Sequence, residues 1–491
     1  METISIKKKK KKKIEELKVL FVASEVNPYI KSGGLGDVAG SLPPALKKLG
    51  MDIRIVFPKY FTVNKSKTGE LKYLHSFDVK LDWRMPTANI FSIEAPIPTY
   101  LIENRHYFDR GHLYGFADDF ERFAFFSKAA INLMSTIDFE ADIIHFNDWQ
   151  TALGCIYLKD VYGKFLFYEN TKSIFTIHNL HYQGFFDVDV LPQIGLNYGY
   201  FTSDKMEYYN RVNFMKAGLT YADHITTVSP SYAHEIQTPQ YGYGLDGLIR
   251  ARNHQLTGIL NGLDYNEYNP DIDQDLVTTY NVKTLDKKAI NKAHLQDLLG
   301  LPRADVPIFA IISRLAEQKG LDLVARIMGE LLQKNAQLVV LGTGEEHYEH
   351  MFSNTAYGHP DKISANIRFD AGFAHKIYAG SDFLLMPSLF EPCGLGQLMA
   401  MRYGTLPVVR KTGGLIDTVE HYNYNTRKGV GIMFEHYLDS GLLWAIDEAI
   451  HLYYQREHFR QAQTNAMKAD FSWEKSAVEY AELYQKIANG T

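Results

Sequence analysis

Two basic segments of the sequence carry residues suited to holding a phosphorylated ligand. Lys31 precedes adjacent glycines in KSGGLGDVAG, but Asp37 stands where a Walker A loop needs lysine, and the G-x-G-x-x-G spacing is absent. Arg314 and Lys319 follow the apolar run Phe309–Ile312. Two cations beyond a strand can clamp a pyrophosphate and neutralise charge that develops on a leaving group. The alternatives are a tight turn with a solvated lysine and a solvated basic loop.

Other chemically useful groups also follow short apolar runs. Glu391 stands just before the glycines of FEPCGLGQ, where a helix N-terminus can take phosphate and the carboxylate can accept hydrogen bonds from sugar hydroxyls. A general acid–base role for Glu391 would require a raised pKa. Asp148 follows one apolar run, and His178 and Asn179 follow another. Ligands bind beyond the carboxyl ends of strands in doubly wound sheets, which favours a binding site here, although a lone histidine is as often structural.

These residues are positioned by strands that alternate with helical patterns, which predicts parallel sheets flanked by helices. The predicted strands are Lys18–Ala23, Asp52–Phe57, Asp142–Phe146, Ser173–Ile177, Ile225–Val228, Pro307–Ile312, Gln337–Leu341, Phe383–Pro387 and Leu406–Val409. The predicted helices include Gly36–Leu49, Leu321–Leu332 and Gly394–Tyr403. We therefore predict an α/β fold of two Rossmann-like domains that face a central cleft.

The boundaries of these domains are indicated by composition. Residues 258–275 are rich in Asn, Asp and Gly and lack apolar periodicity, which indicates a linker. We predict an N-terminal domain over 17–257 and a C-terminal domain over 258–471. The last segment, 472–491, reads as a helix capped by Ser472 that either domain could cover. The lysine-rich residues 1–16 are predicted to be a disordered tail.

The charge, hydropathy and cysteine content exclude several classes of protein. The formal net charge is −5, and without the seven lysines of Lys7–Lys13 it is −12, so the acidic body argues against nucleic acid as a partner. No apolar run approaches 18 residues, which argues against a membrane span. The only cysteines, Cys155 and Cys393, are far apart, which indicates a reducing compartment and a cytoplasmic protein.

Nine blocks in the same order resemble the family of bacterial glycogen synthases and plant starch synthases, from about residue 17 to the end of the chain. The blocks are KSGGLGDV, HFNDWQTAL, TIHNLHYQG, NFMKAGLTYADHITTVSP, ILNGLD, SRLAEQKG, FEPCGLGQLMAMRYG, VRKTGGLIDTV and FSWEKSA. The resemblance implies the GT-B arrangement of two domains, with the last helix crossing back to the first domain. It also implies transfer of glucose from ADP-glucose to the 4-hydroxyl at the non-reducing end of an α-1,4-glucan, with retention at C1 and without a metal ion or other cofactor.

The resemblance assigns expected roles to individual residues. The expected catalytic positions are Glu391, His178, Arg314 and Lys319. The expected donor-binding positions are Lys31, Gly34, Asn179, Asn261, Phe369, Cys393, Gly394, Leu395 and Gly396, with Phe369 against adenine and Cys393 as packing rather than a nucleophile. Asp37 and Asp148 are expected to contact the acceptor or the sugars.

Three departures from the family pattern leave alternatives open. Gly396 stands where bacterial relatives often carry Thr, Gln150 where some carry His, and Met399 where related transferases place a second Glu. A related enzyme that uses UDP-glucose or makes another glucan remains a rival. A non-catalytic glucan-binding protein would be expected to lack Glu391, Arg314 or Lys319, and all three are present. A glucan phosphorylase would need a pyridoxal-phosphate lysine block, and none is apparent.

Overall fold

The structure is a computed structural model that describes residues 11–490. Contacts divide the chain into two compact units. Unit 1 contains the residues up to Val228, together with Ala233–Gly262 and the segment from Trp473 onward. Unit 2 contains Ser229–Tyr232 and Leu263–Ser472. Residues 258–262 thus cluster with unit 1, whereas the predicted boundary follows residue 257.

The strands and helices are numbered along the chain. The strands are β1 (Lys18–Val22), β2 (Asp52–Pro58), β3 (Lys72–Asp78), β4 (Thr87–Ile93), β5 (Thr99–Glu103), β6 (Ile143–Asn147), β7 (Lys172–Ile177), β8 (Phe185–Phe186), β9 (Glu207–Tyr208), β10 (Arg211–Asn213), β11 (His224–Thr227), β12 (Leu256–Gly258), β13 (Ile308–Ile312), β14 (Gln337–Leu341), β15 (Ile363–Asn366), β16 (Phe383–Met386), β17 (Leu406–Arg410) and β18 (Ile432–Phe434). The α-helices are α1 (Gly34–Lys48), α2 (Lys65–Thr68), α3 (Arg105–Phe108), α4 (Asp119–Thr136), α5 (Leu153–Ile156), α6 (Val190–Gln193), α7 (Phe214–Tyr221), α8 (Pro230–Glu235), α9 (Asp246–Ala251), α10 (Lys288–Leu299), α11 (Leu321–Arg326), α12 (Met328–Gln333), α13 (Glu346–Gly358), α14 (Ala371–Gly380), α15 (Gly396–Arg402), α16 (Gly414–Thr418), α17 (Asp439–Tyr454), α18 (Arg456–Lys468) and α19 (Trp473–Ala488).

Unit 1 is built on a nine-stranded sheet with the order β12-β11-β7-β6-β1-β2-β5-β4-β3. The strands from β12 to β5 pair in parallel, and β4 and β3 add an antiparallel edge. Four of the five residues of β1 are buried, as expected for a parallel strand that is covered on both faces. The strand order reverses between β1 and β6, and a doubly wound sheet binds its ligand at the carboxyl end of such a switch point.

Unit 2 is built on a six-stranded parallel sheet with the order β15-β14-β13-β16-β17-β18. Its strand order reverses between β13 and β16. The basic loop with Arg314 and Lys319 follows β13, and the loop with Glu391 follows β16. The topology therefore brings the two loops to the same switch point. Both units confirm the predicted α/β class with Rossmann-like parallel sheets.

The last helix, α19, belongs to unit 1, as the resemblance implied. It packs against α1 and buries Trp473, Tyr480 and Tyr484. The Tyr484 hydroxyl hydrogen-bonds the Nδ1 atom of His145 on β6 at 2.6 Å. Because this polar pair is buried, it adds a directional contact to the apolar packing that holds α19 over the sheet.

Several elements differ from the sequence predictions. The strands β3–β5 were not predicted because the connection between β3 and β4 lacks the Asn-Gly or Asp-Gly turn that marks a hairpin. Helix α1 begins at Gly34, two residues before the predicted start. The predicted helix Leu321–Leu332 is two helices, because Ile327 leaves helical geometry (φ −93°, ψ 3°) and Gly329 weakens the following turn.

The predicted disordered tail is only partly described, since residues 1–10 lie outside the described range. Residues Ile14–Glu16 form a 3-10 turn, which differs from the prediction. Lys12 is held by unit 1, because its main-chain N–H donates to Asn489 Oδ1 at 2.8 Å and its Nζ pairs with Asp142 at 2.6 Å. Within the described range, the chain has no helix with both the length and the apolar character to cross a bilayer.

Candidate active site

The glycine turn of unit 1 is held from behind by a buried carboxylate, Glu25. This side chain accepts hydrogen bonds from the main-chain N–H groups of Ser32 and Gly33 and from the Ser32 hydroxyl at 2.8 Å. A Cβ atom on Gly33 or Gly34 would meet nothing within 4 Å. The turn therefore exposes its backbone to open space, and the first amides of α1 lack intrahelical acceptors, as helix N-termini do.

Lys31 and Asp37 form an ion pair on this turn. The Lys31 Nζ atom lies 2.7 Å from an Asp37 carboxylate oxygen, and the lysine side chain keeps 30% of its exposure. Burial raises the pKa of Asp37, and the Lys31 cation opposes that rise. Asp37 lies one turn into α1 and does not begin the helix. The expected anion-binding lysine thus shares its charge with the residue that was expected to contact sugar.

The ends of β6 and β7 bring Asp148, His178 and Asn179 together. Asp148 has a positive φ of 55°, and its carboxylate accepts the main-chain N–H of His178 at 2.7 Å and that of Asn179. The His178 Nε2 atom lies 2.9 Å from Asn147 Oδ1. The side chain of Asn179 accepts the main-chain N–H of His181 at 3.0 Å. The Asp148 carboxylate therefore holds the main chain of His178 and Asn179, which brings three expected site residues together.

The electrostatics of this corner favour neutral side chains. Desolvation raises the pKa of Asp148 to about 7, although the two main-chain N–H groups oppose the shift. Desolvation lowers the pKa of His178 to about 3. At neutral pH the His178 imidazole is thus uncharged, and the Asp148 carboxyl is close to its midpoint.

Asn261 follows β12 in the same unit and is 5% exposed. Its Oδ1 atom is buried and has no hydrogen-bond partner within the part of the chain that the structure describes. A buried amide oxygen without a donor costs free energy, so the site is suited to a ligand that supplies one. This fits the expected contact with glucose hydroxyls.

In unit 2 the expected catalytic residues Lys319 and Glu391 form an ion pair. The Lys319 Nζ atom lies 2.7 Å from Glu391 Oε2, which also accepts the Ser388 hydroxyl at 3.0 Å. Only 7% of the Glu391 side chain is exposed. Gly320 allows this approach, since it has φ 73° and a Cβ atom there would lie 2.0 Å from the carbonyl oxygen of Pro387. The pair is therefore built by two loops whose backbones touch.

Arg314 and Phe369 remain open to solvent. The Arg314 side chain is exposed and has no hydrogen bond or ion pair with any described residue. Phe369 follows β15 and is 82% exposed. An unpaired guanidinium and an exposed aromatic ring at the carboxyl edge of one sheet offer a contact for phosphate and a stacking face for a base.

The glycines after Glu391 set the shape of the loop, and Cys393 beside them has a packing role. Gly394 has φ 73°, and the Gln397 amide nitrogen donates to the carbonyl oxygens of Cys393 and Gly394 at 3.1 and 2.9 Å. Cys393 is buried, as expected for packing. The main-chain N–H of Leu395 finds no acceptor among residues 11–490, and Gly396 begins α15.

Sequence reasoning missed the residues that hold this machinery in place. Glu25 supports the glycine turn, Ser388 contacts Glu391, and Arg410 donates its Nε–H to the Ser388 carbonyl oxygen at 2.8 Å. The role of Glu25 could have been inferred from its position, because an acidic residue between β1 and a glycine turn has main-chain amide donors within reach. The contact between Arg410 and Ser388 has no such local signal, because the two residues are far apart in the sequence.

Comparisons with known proteins identify the family of the chain. A family profile described as "Starch synthase catalytic domain" matches residues 18–251, and one described as "Glycosyl transferases group 1" matches residues 300–466. Proteins named glycogen synthase from Desulforamulus reducens and Clostridium perfringens are 48% and 47% identical to the chain. Each comparison covers 96% of this chain, and 99% and 98% of those proteins.

Solved structures give the same result. The catalytic domain of starch synthase IV from Arabidopsis thaliana, bound to ADP and acarbose, is 34% identical with a TM-score of 0.91, covering 96% of this chain and 99% of that one. A sucrose-phosphate synthase from Thermosynechococcus elongatus is 17% identical, with a TM-score of 0.62 and coverage of 97% and 100%, and shows the fold alone. The chain therefore belongs to the glycogen synthase family of glycosyltransferases.

Proposed function

We propose that this glycosyltransferase moves glucose from ADP-glucose to the non-reducing 4-hydroxyl of an α-1,4-glucan, with retention at C1. The observation that carries the proposal is the Lys319–Glu391 pair at the switch point of unit 2, where the loop that supplies Lys319 also carries the unpaired Arg314. Cations placed in this way suit a diphosphate leaving group, and a carboxylate among them suits the hydroxyls of the attached sugar.

In this proposal unit 2 binds the nucleotide end of the donor. Arg314 and Lys319 hold the diphosphate, and the amides near Leu395 and Gly396 add donors to its oxygens. Phe369 stacks on the adenine, for which its exposure leaves the ring face free. We propose that these groups balance the diphosphate charge without a metal ion. Activity that survives exhaustive chelation, in a matched buffer, would support this, and activity restored by added Mg²⁺ would refute it.

Unit 1 supplies the groups for the glucosyl and acceptor side. Lys31 and the Gly34 amide offer positive charge, Asn261 and Asn179 offer amides, and Asp148 stands at the switch point of the sheet. The Asp148 carboxylate already accepts two main-chain N–H groups, which makes it a poor nucleophile towards C1.

Retention therefore suits a front-side route in which the leaving phosphate takes the proton of the acceptor hydroxyl. Retaining hydrolases instead use a carboxylate nucleophile about 5–5.5 Å from the second carboxyl group. We propose that the His178 main-chain carbonyl stabilises positive charge at C1. Mass spectrometry after rapid quench tests the route, because a covalent glucosyl-enzyme on any carboxylate would refute it.

Donor choice is tested by initial rates with ADP-glucose and UDP-glucose at equal concentration and with glycogen as acceptor. We expect ADP-glucose to give the higher kcat/KM, and a clear preference for UDP-glucose would refute the donor assignment. Product anomeric configuration is read by ¹H NMR in the same reaction. If no glucose is transferred to glucan from either donor, the result would support the non-catalytic alternative.

We also propose a cytoplasmic location. Both cysteines are buried and neither is in a disulfide, which fits a reducing compartment. Cell fractionation with an antibody tests this, and recovery in the secreted fraction would contradict it.

A further inference from the structure

The side-chain amide of Asn147 has a fixed orientation at the end of β6. Asn147 is fully buried, and its Nδ2 atom donates to the carbonyl oxygens of Val22 at 3.0 Å and His145 at 3.2 Å. Carbonyl oxygens only accept hydrogen bonds, so the amide nitrogen must face them. The Oδ1 atom of Asn147 must therefore point the other way.

That oxygen meets the imidazole of His178. The Oδ1 atom lies 2.9 Å from Nε2, and an amide oxygen can only accept. The proton of the neutral ring must consequently be on Nε2. The Nδ1 atom of His178 then carries a lone pair, and it has no hydrogen-bond partner within residues 11–490.

The charged groups around His178 do not change this protonation. Asp148, at the end of β6, directs its carboxylate to main-chain N–H groups, and Glu25, after β1, acts electrostatically on Asp148. His145 on β6 is also neutral, because desolvation lowers its pKa to about 3, and His178 adds to that shift. Both imidazoles are therefore uncharged at neutral pH.

We propose that Asn147 is a positioning residue that holds His178 as the neutral Nε2–H tautomer and so presents Nδ1 as an acceptor for a substrate hydroxyl. The substrate half of this inference rests on the proposed glucosyl transfer. The tautomer half does not, because the hydrogen bonds that fix it are present without substrate. The two halves can therefore fail separately.

The tautomer is measured directly by long-range ¹H–¹⁵N correlation on protein labelled at histidine nitrogens, without substrate. His178 is assigned by the signal that disappears in His178→Gln. We expect the pattern of an Nε2–H ring with no titration between pH 5 and 8. A protonated ring or an Nδ1–H ring in this wild-type spectrum overturns the proposal, whatever the variants do.

The role of Asn147 is tested by Asn147→Ala, with Asn366→Ala as the matched control. Asn366 also ends a strand, and its amide donates to the carbonyl oxygen of Val340 on the neighbouring strand at 3.2 Å, but no histidine among the described residues is its hydrogen-bond partner. We expect Asn147→Ala to give a mixture of the Nδ1–H and Nε2–H tautomers of His178, while Asn366→Ala leaves the His178 signals unchanged. An unchanged His178 spectrum in a folded Asn147→Ala protein overturns the proposal.

Activity links the tautomer to the reaction. Loss of one neutral hydrogen bond corresponds to about a tenfold fall in kcat/KM for Asn147→Ala. In a His178→Gln background, Asn147→Ala should cost nothing further. A full additional loss in that background would mean that Asn147 acts only through folding, and would refute the positioning role.

Discussion

Lys319→Met should destabilise unit 2 as well as stop transfer. The substitution keeps an unbranched apolar chain and removes the ammonium group that lies 2.7 Å from Glu391. The Glu391 carboxylate, with 7% of its side chain exposed, is then left with the Ser388 hydroxyl as its remaining side-chain partner among the described residues. A buried carboxylate without a cation is the costly half of a broken ion pair.

The size of the effect follows from the burial of the pair. Breaking a fully buried ion pair costs about 3–5 kcal/mol. The Lys319 side chain is 20% exposed, so water offsets part of the loss and we expect about 2–3 kcal/mol. For a unit of this size, each kcal/mol lowers Tm by about 2–4 °C, which gives a fall of about 4–12 °C. Lys411→Met is the matched control, because Lys411 and Glu435 are 48% and 66% exposed and such pairs contribute at most about 1 kcal/mol.

The double variant Lys319→Met with Glu391→Gln separates folding from chemistry. Removing the stranded charge should restore most of the lost Tm, whereas the initial rate with ADP-glucose should stay at background because both groups act on the donor. Differential scanning calorimetry and the glycogen-transfer assay measure the two outcomes. If the Tm of Lys319→Met lies within about 2 °C of wild type, the Glu391 carboxylate is not left as an uncompensated buried charge, and the reasoning is refuted.

Three other substitutions test separate features. Tyr484→Phe should lower the free energy of unfolding by about 1–3 kcal/mol in urea titrations, since the buried Nδ1 atom of His145 loses its partner; an unchanged midpoint would contradict this. Phe369→Ala should raise the donor KM severalfold and leave Tm unchanged, because the ring is 82% exposed; an unchanged KM would remove its stacking role. Asp148→Asn should gain stability relative to wild type as pH rises from about 4 to 7. The pKa of Asp148 is raised to about 7 in the folded protein, so over that range the unfolded chain loses a proton that the folded protein keeps, and wild type loses stability. A Tm difference independent of pH would contradict the shift.

Nine of the parallel strands were predicted, because each is a short apolar run bounded by polar residues, whereas the parallel strands β5, β12, β15 and β18 were not. The predicted Gln337–Leu341 agrees with β14 at both ends, and Asp52–Phe57 differs from β2 by one residue. The antiparallel edge strand β3 escaped prediction for the opposite reason. The residues of β3 are mostly exposed, so no apolar periodicity distinguishes them from a loop.

The site could be predicted as a set of residues, but its pairings could not. Lys31 and Asp37 are six residues apart on one turn, and a local contact between them was foreseeable. Lys319 and Glu391 are 72 residues apart, and they meet because β13 and β16 are neighbours in the sheet. The hydrogen bond between Asn147 and His178 depends likewise on the pairing of β6 with β7. Such pairings follow from strand order, which sequence patterns leave open.

The position of α19 in unit 1 sets the order in which the chain can finish folding during synthesis. The sheet of unit 1 is complete once β12 has left the ribosome, but Tyr484 comes more than 220 residues later. At a synthesis rate of about 5–20 residues per second, roughly 10–45 s pass between the completion of the sheet and the synthesis of Tyr484, the partner of His145. During that interval unit 1 exposes the apolar surface of α1 that α19 later covers. A chain whose synthesis stops within unit 2 would therefore contain a first unit that lacks its last helix.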